Sequence, residues 1–219
     1  MRILRESDYV TVPWKNGGGL TREILKVPTD AEAFDWRLSL ATIAAPGPFS
    51  AFDGYDRTLA LVRGAGVELD FGPHGQVSLR APGQLVQFDG AWPTHGTLID
   101  GPSTDLNLIV ARERAESEVH VLQLTTQEPG RPMGQLIRTS GWEETLVCCL
   151  AGVARIENAA DELETLSSVD VARCDPRDGV MICGPQGPDP ALLLVASLQR
   201  RDLVTLRGRR VSGAPPAVT

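Results

Sequence analysis

The chain is predicted to be all-β, built as two small barrels or jelly rolls in one polypeptide. Three observations predict this. Short apolar-alternating runs recur between turn signals, 22 glycines and 16 prolines in 219 residues, at roughly the 8–12-residue rhythm of a sandwich or barrel. Long 3.6-residue periodicity is absent. The two halves also resemble each other. TLALVRGAGVEL (Thr58–Leu69) lies over TLVCCLAGVARI (Thr145–Ile156), and GPSTDLNLIVA (Gly101–Ala111) matches GPQGPDPALLLVA (Gly184–Ala196). The offset, about 85 residues, is nearly constant, as duplication of a set of short strands would leave it.

In chain order, the first half predicts strands at Leu20–Val27, Asp35–Ile43, Thr58–Val62, Gly66–Phe71, Gln76–Leu79, Leu85–Phe88, Gly96–Asp100 and Leu106–Ala111. RERAESEVHVL then has room for one helical turn at most. The second half predicts strands at His120–Thr125, Gln135–Thr139, Glu144–Leu150, Ala154–Asn158, Leu163–Leu166, Asp170–Cys174, Gly179–Ile182 and Leu192–Leu198. The expected division is a first barrel over residues 1–112, a second over 113–200, and a tail over 201–219 that ends in a disordered SGAPPAVT.

Bulk composition narrows the function. At 42% hydrophobic and 22% charged residues, the chain can bury a core without staples. A net charge of −7 argues against nucleic acid, which demands a basic face. The arginines of QRRDLVTLRGRR read as a solvated end. No apolar run approaches the roughly 18 residues of a membrane span, and the N-terminus lacks the core of a signal peptide. Cys148 and Cys149 are adjacent on a predicted strand and point to opposite faces, so they are poorly placed to bond. With Cys174 and Cys183 they read as reduced core thiols of a cytoplasmic protein.

Three predicted strands carry polar residues in alternation: Thr21 with Glu23, Arg37 with Ser39, and Asp105 with Asn107. Each strand taken singly could show these residues to water, as in any amphipathic sheet. Taken together they can line the mouth of one barrel, since such residues are costly to bury unless they pair or bind something. The repeat supplies an internal control. Asp105 and Asn107 align with Pro190 and Leu192, and Arg57 with Glu144, so the second copy lacks the set. The site is therefore expected in the first barrel, the second being structural.

The run KNGGG, Lys15 to Gly19, has more glycine than a turn requires. Asn16, Gly17, Gly18 and Gly19 could form a rim whose N–H groups hold an anion, with Arg37 or Arg57 gripping a carboxylate through paired donors. The loop APGPFSAFDGYDR (Ala45–Arg57) either caps one barrel end, with Phe49 and Phe52 plugging the core, or sets Ser50 and Arg57 at the pocket mouth. His74, His95 and His120 form no His-x-His pair, so no metal and no cofactor is expected.

PWKNGGGLTREI, FDWRLSLATIAAPGPFSAFDGYDRTLALVRGAGVEL and GPSTDLNLIVAR, taken in that order, resemble the HutD/Ves family over roughly Ile3 to Leu198. That resemblance implies a bicupin: two cupin barrels in one cytoplasmic bacterial chain. It also implies an association with histidine utilisation and binding of a small carboxylate metabolite such as formylglutamate or formate. The expected role is binding, with a regulatory or buffering purpose. The alternative is a metal-free isomerase or hydrolase using Glu23 or Asp105 as base beside Arg37. The expected partner is a small organic acid, with no nucleic acid or membrane, and the edge strands leave room for a homodimer.

Overall fold

The computed structural model describes residues 1–14, 17–125, 135–186, 189–201 and 217–218, with residues 135, 181, 183, 217 and 218 described by backbone alone. Strands dominate, and they fall into two compact units. No helix among the described residues is long and apolar enough to cross a membrane.

The unit formed by Tyr9–Glu116 and Arg200–Thr219 contains two antiparallel sheets. Seven strands make the larger, in the order β2 (Val10–Pro13), β3 (Gly19–Val27), β4 (Trp36–Ile43), β11 (Ser103–Ala111), β6 (Tyr55–Arg63), β9 (Leu85–Asp89) and β20 (Ala217–Val218). The smaller orders β5 (Gly47–Pro48), β10 (His95–Leu98), β7 (Val67–Asp70) and β8 (Gln76–Leu79). Leu59, Leu61, Val86 and Phe88 of the first sheet share one apolar core with Val67, Leu69 and Leu79 of the second.

The unit formed by Met1–Asp8 and Ser117–Gln199 repeats the plan. One sheet orders β1 (Arg2–Leu4), β17 (Val171–Cys174), β14 (Glu144–Ala151), β19 (Ala191–Arg200) and β12 (Ala115–Leu124). The other orders β13 (Gln135–Leu136), β18 (Met181–Pro185), β15 (Val153–Glu157) and β16 (Leu163–Ser167). Its apolar core joins Val147, Cys149, Leu193 and Val195 to Ile156, Leu166 and Ile182.

The all-β expectation holds, but none of the four sheets closes into a barrel. Each unit is a pair of open sheets joined by packing instead of a continuous hydrogen-bond ladder. Two further expectations change. RERAESE splits into a turn at Arg112–Arg114 and a strand from Ala115 on, where Glu116, Glu118 and His120 alternate on β12 in a pattern that charge composition alone disguises. The first eight residues pack with the later half, where Ile3 pairs with Ala172, while Ala217 returns to pair with Gln87 of β9. The rest of the expected disordered end lies outside the described residues.

The two units share a local device that corrects the repeat alignment. A bulge falls after Leu61 on β6 and after Cys149 on β14, since Asp105 pairs with Leu61 and Leu193 with Cys149. Just beyond, Gly64 adopts φ 100° against Pro102 O and Ser103, and Gly152 adopts φ 74° against Pro190 O and Ala191. A Cβ at either would meet that carbonyl at 2.6 and 2.5 Å respectively, so only glycine fits. These landmarks match Asp105 with Leu193, Asn107 with Val195 and Arg57 with Thr145. The alignment to Pro190, Leu192 and Glu144 is therefore out of register. The correction leaves the control intact: the second unit has no charge at any of the three positions.

Candidate functional site

β11 is the hub of the larger sheet in the Tyr9–Glu116 unit, with β4 on one side and β6 on the other. Pairing aligns its alternate residues into three transverse rows. Asp105 lies between Ala41 and Leu61, with Thr21 of β3 beyond Ala41. Asn107 lies between Ser39 and Leu59, with Glu23 beyond Ser39. Ile109 lies between Arg37 and Arg57. Because a strand's side chains alternate faces, these rows share one side of the sheet. The polar residues gather at the β3–β4–β11 end and the apolar ones toward β9, where the core is packed.

A cavity of about 480 Å³ opens over the polar end. Thr21, Arg37, Ser39, Arg57, Asp105 and Asn107 supply its polar wall from the strands. Ser50, Phe49 and Phe52 enter from the loop after β5, and Trp14 from the turn after β2. The residues are not in water: Ser39 and Asp105 are each 1% exposed, Arg57 4% and Asn107 7%. The amphipathic-surface reading is thereby overturned for Ser39, Asp105 and Asn107, whereas Thr21, Glu23 and Arg37 are half-buried. The opposite face of β4 and β11, with Trp36, Leu38, Leu106 and Leu108, is buried as well.

Aromatic rings hold the two guanidiniums. Arg37 Cζ lies 5.3 Å from the Phe34 ring centre and 5.0 Å from that of Phe52. Arg57 Cζ lies 5.4 Å from Phe52, 5.0 Å from Phe88 and 5.6 Å from Phe49. Phe52 is thus wedged between both cations, which its negative ring faces attract. Arg57 Nη1 donates to the Ser50 carbonyl at 3.2 Å, but the Nε of Arg37 and that of Arg57 are buried without a partner. Among the described residues neither guanidinium forms an ion pair. Burial lowers the Arg37 pKa, with Glu23 opposing, and pulls Arg57 down to about 10, where Asp105 supports its charge and Arg37 works against it. Arg57 remains cationic at neutral pH.

Asp105 is the least comfortable group in the unit. Neither carboxylate oxygen has a hydrogen-bond partner, and Asn107 Oδ1 beside it has none. Burial raises the Asp105 pKa to about 7, and the nearby Arg57 only partly offsets the desolvation. The cavity therefore combines two braced cations with unpaired acceptors, a set that suits an organic anion. It does not suit a divalent cation: no imidazole lines the cavity, and two guanidiniums would repel the metal. His74 stacks on Trp92 at 4.2 Å, and His95 stands exposed at the start of β10, a strand position where the sequence suggested a loop. Among the described residues no three His, Cys, Asp or Glu side chains gather as metal ligands.

Not every sequence-based candidate joins the cavity. Glu23 sits in register with Ser39 and favours the Arg37 charge, but it is not in the lining. Gly17, Gly18 and Gly19 are also outside it, and backbone demands account for them. Gly17 takes φ 70° and donates its N–H to the Trp14 carbonyl. The Gly18 carbonyl accepts from Ala44 and Ala45. A Cβ on Gly19 would stand 2.2 Å from the Thr42 carbonyl oxygen and 3.0 Å from the Trp14 ring. Asn16 lies outside the described residues. Trp14, which alternation on the strands does not single out, also lines the cavity. Its indole donates to Thr21 Oγ1 at 2.8 Å, and its ring meets Phe49 edge-on. Sequence reasoning missed Pro13, Ala41 and Pro48 in the lining. Position opposite Asp105 in the ladder would have found Ala41; nothing in the sequence marks the two prolines.

Comparison with known proteins places this geometry in context. A cupin-like fold is common to solved structures of low identity, such as the oxalate decarboxylase–formate complex of Lactobacillus farciminis, at 10% identity, TM-score 0.63, covering 90% of this chain and 88% of that one. HutD from Pseudomonas fluorescens SBW25, solved in a formate condition, is 29% identical with TM-score 0.71, covering 92% of this chain and 99% of that one. An uncharacterized 21.2 kDa protein in the hutC 3′ region of Pseudomonas putida is 30% identical over 189 residues, covering 85% of this chain and 93% of its own. Protein Ves of Citrobacter koseri is 36% identical over 132 residues, or 59% of this chain and 69% of that protein. The HutD family profile matches residues 6–186, and with relatives of this similarity and coverage the chain belongs to the HutD family.

Proposed function

We propose that this chain is a cytoplasmic bicupin that binds a small carboxylate metabolite, formylglutamate- or formate-like, and serves a regulatory or buffering role in histidine utilisation. The observation that carries the binding reading is the convergence of Arg37 and Arg57 on one cavity, braced by Phe52 instead of neutralised by carboxylates. Guanidinium forks match carboxylates in shape and charge, and aromatic bracing leaves N–H groups to meet them. The second unit, uncharged at the matching positions Thr145, Leu193 and Val195, acts as scaffold. The HutD structure obtained in formate and the relative beside hutC support the ligand class and the pathway.

Isothermal titration of N-formyl-L-glutamate and of formate tests the reading. At least one should bind the wild type, and Arg37→Ala and Arg57→Ala should each weaken it by roughly tenfold or more, as loss of a charged hydrogen bond predicts. Equal binding by all three proteins would remove both arginines from the site.

One observation favours a second reading, a metal-free isomerase or hydrolase. Asp105 titrates near neutrality beside a cation, which suits a general base. Mass spectrometry of histidine-pathway intermediates incubated with the protein separates the two readings. Turnover lost in Asp105→Asn would establish the enzyme.

A further inference from the structure

We infer that the ligand of this cavity is two-ended: a carboxylate for Arg37 and Arg57, and an N–H or O–H donor directed at Asp105 and Asn107. This deepens the carboxylate reading and rests on it. Three buried acceptor atoms, both oxygens of Asp105 and Oδ1 of Asn107, meet no protein donor. They lie on adjacent inward positions of β11, and both residues line the cavity. A buried acceptor left unpaired is costly, so a molecule that fills the cavity and displaces solvent must donate in its place. The rows set the order of the two ends. The arginines flank Ile109, Asn107 is the next inward residue, and Asp105 the one after. With about 3.3 Å per residue along a strand, the Asp105 row lies about 13 Å from the arginine row before side chains reach inward. Long arginine side chains shorten that span, so a ligand of several bonds can meet both ends, whereas a bare one-carbon acid meets one.

The recognised class is therefore a carboxylate bearing an amide N–H or a hydroxyl, such as an N-acyl amino acid or a hydroxy acid. A simple mono- or dicarboxylate without a donor belongs outside it. Selectivity would come from the acceptors, because a site built to accept a hydrogen bond rejects a ligand that cannot supply it.

Matched pairs test this by isothermal titration. One pair is N-formyl-L-glutamate and its N-methylated counterpart, N-formyl-N-methyl-L-glutamate; the other is 2-hydroxyglutarate and glutarate. In each pair the donor-bearing member should bind the wild type about tenfold or more tightly than its partner. Asp105→Leu, which installs the residue found at the matching Leu193, should narrow that gap to about twofold. Equal affinities within both pairs would overturn the two-ended ligand and leave the carboxylate reading standing. Failure of all four to bind the wild type would overturn both. A gap that survives in a folded Asp105→Leu protein would remove Asp105 as the acceptor.

Discussion

Replacing Asp105 by Asn should change how stability depends on pH, and the structure sets the sign and the size. In the unfolded chain this carboxyl releases its proton near the ordinary aspartate value of 3.8; in the folded protein burial holds the proton until about 7. Between those values the unfolded state binds fewer protons than the folded one, so wild-type stability falls as pH rises. The loss begins above the unfolded value and is complete once the pH passes the folded value. At about 1.4 kcal/mol per unit, the interval amounts to roughly 4 kcal/mol, a large share of a typical domain's stability. The asparagine variant keeps the shape and drops the titration. Its stability minus that of wild type should therefore climb by several kcal/mol from pH 4.5 to pH 7.5 and level off above. Urea denaturation at half-unit pH steps, in buffers free of carboxylates, measures the difference and cancels the other titrating groups. A flat difference across that range would refute the claim that Asp105 is buried without a partner.

Three further outcomes follow from the same geometry. Gly19→Ala should destabilise by more than about 2 kcal/mol, because its Cβ would meet the Thr42 carbonyl at 2.2 Å; Gly17→Ala, strained only by φ 70° in open space, should cost about 1 kcal/mol. Urea midpoints compare them. Phe52→Leu removes the ring shared by Arg37 and Arg57, and carboxylate affinity should fall about fivefold as the guanidiniums lose their brace. Calorimetry would show this as a loss of binding in a protein of near wild-type melting temperature. Burial pushes the Cys149 and Cys174 thiols up to about 12 and Cys148 higher still. These three should resist Ellman's reagent in native protein and react at once in guanidinium chloride.

Much of this arrangement is legible from alternation alone. Arg37, Ser39, Asp105 and Asn107 stand at every second residue of runs whose intervening positions are apolar, and the ladder lines them up as that period requires. That the sheets stay open is not legible, since closure depends on pairing between distant strands that no local pattern encodes. β12 hides for a related reason: half-buried Glu116 and exposed Glu118 satisfy a solvent-facing helix as well as an open strand. The bracing by Phe34, Phe52 and Phe88 is tertiary, bringing rings from three separate segments to two arginines. The triglycine was conspicuous, but its reason is local backbone crowding at Thr42 and a positive φ, which composition cannot tell apart from ligand approach.

The pairing of Ile3 with Ala172 and of Ala217 with Gln87 has a consequence for biosynthesis. β1 waits for a partner that follows it far along the chain, and β9 gains a neighbour only when Val218 has been made. A gene cut between residues 112 and 113 would strand one ribbon on each fragment, so fragment complementation, more than expression of separate halves, is the route by which divided versions of this protein should regain their shape.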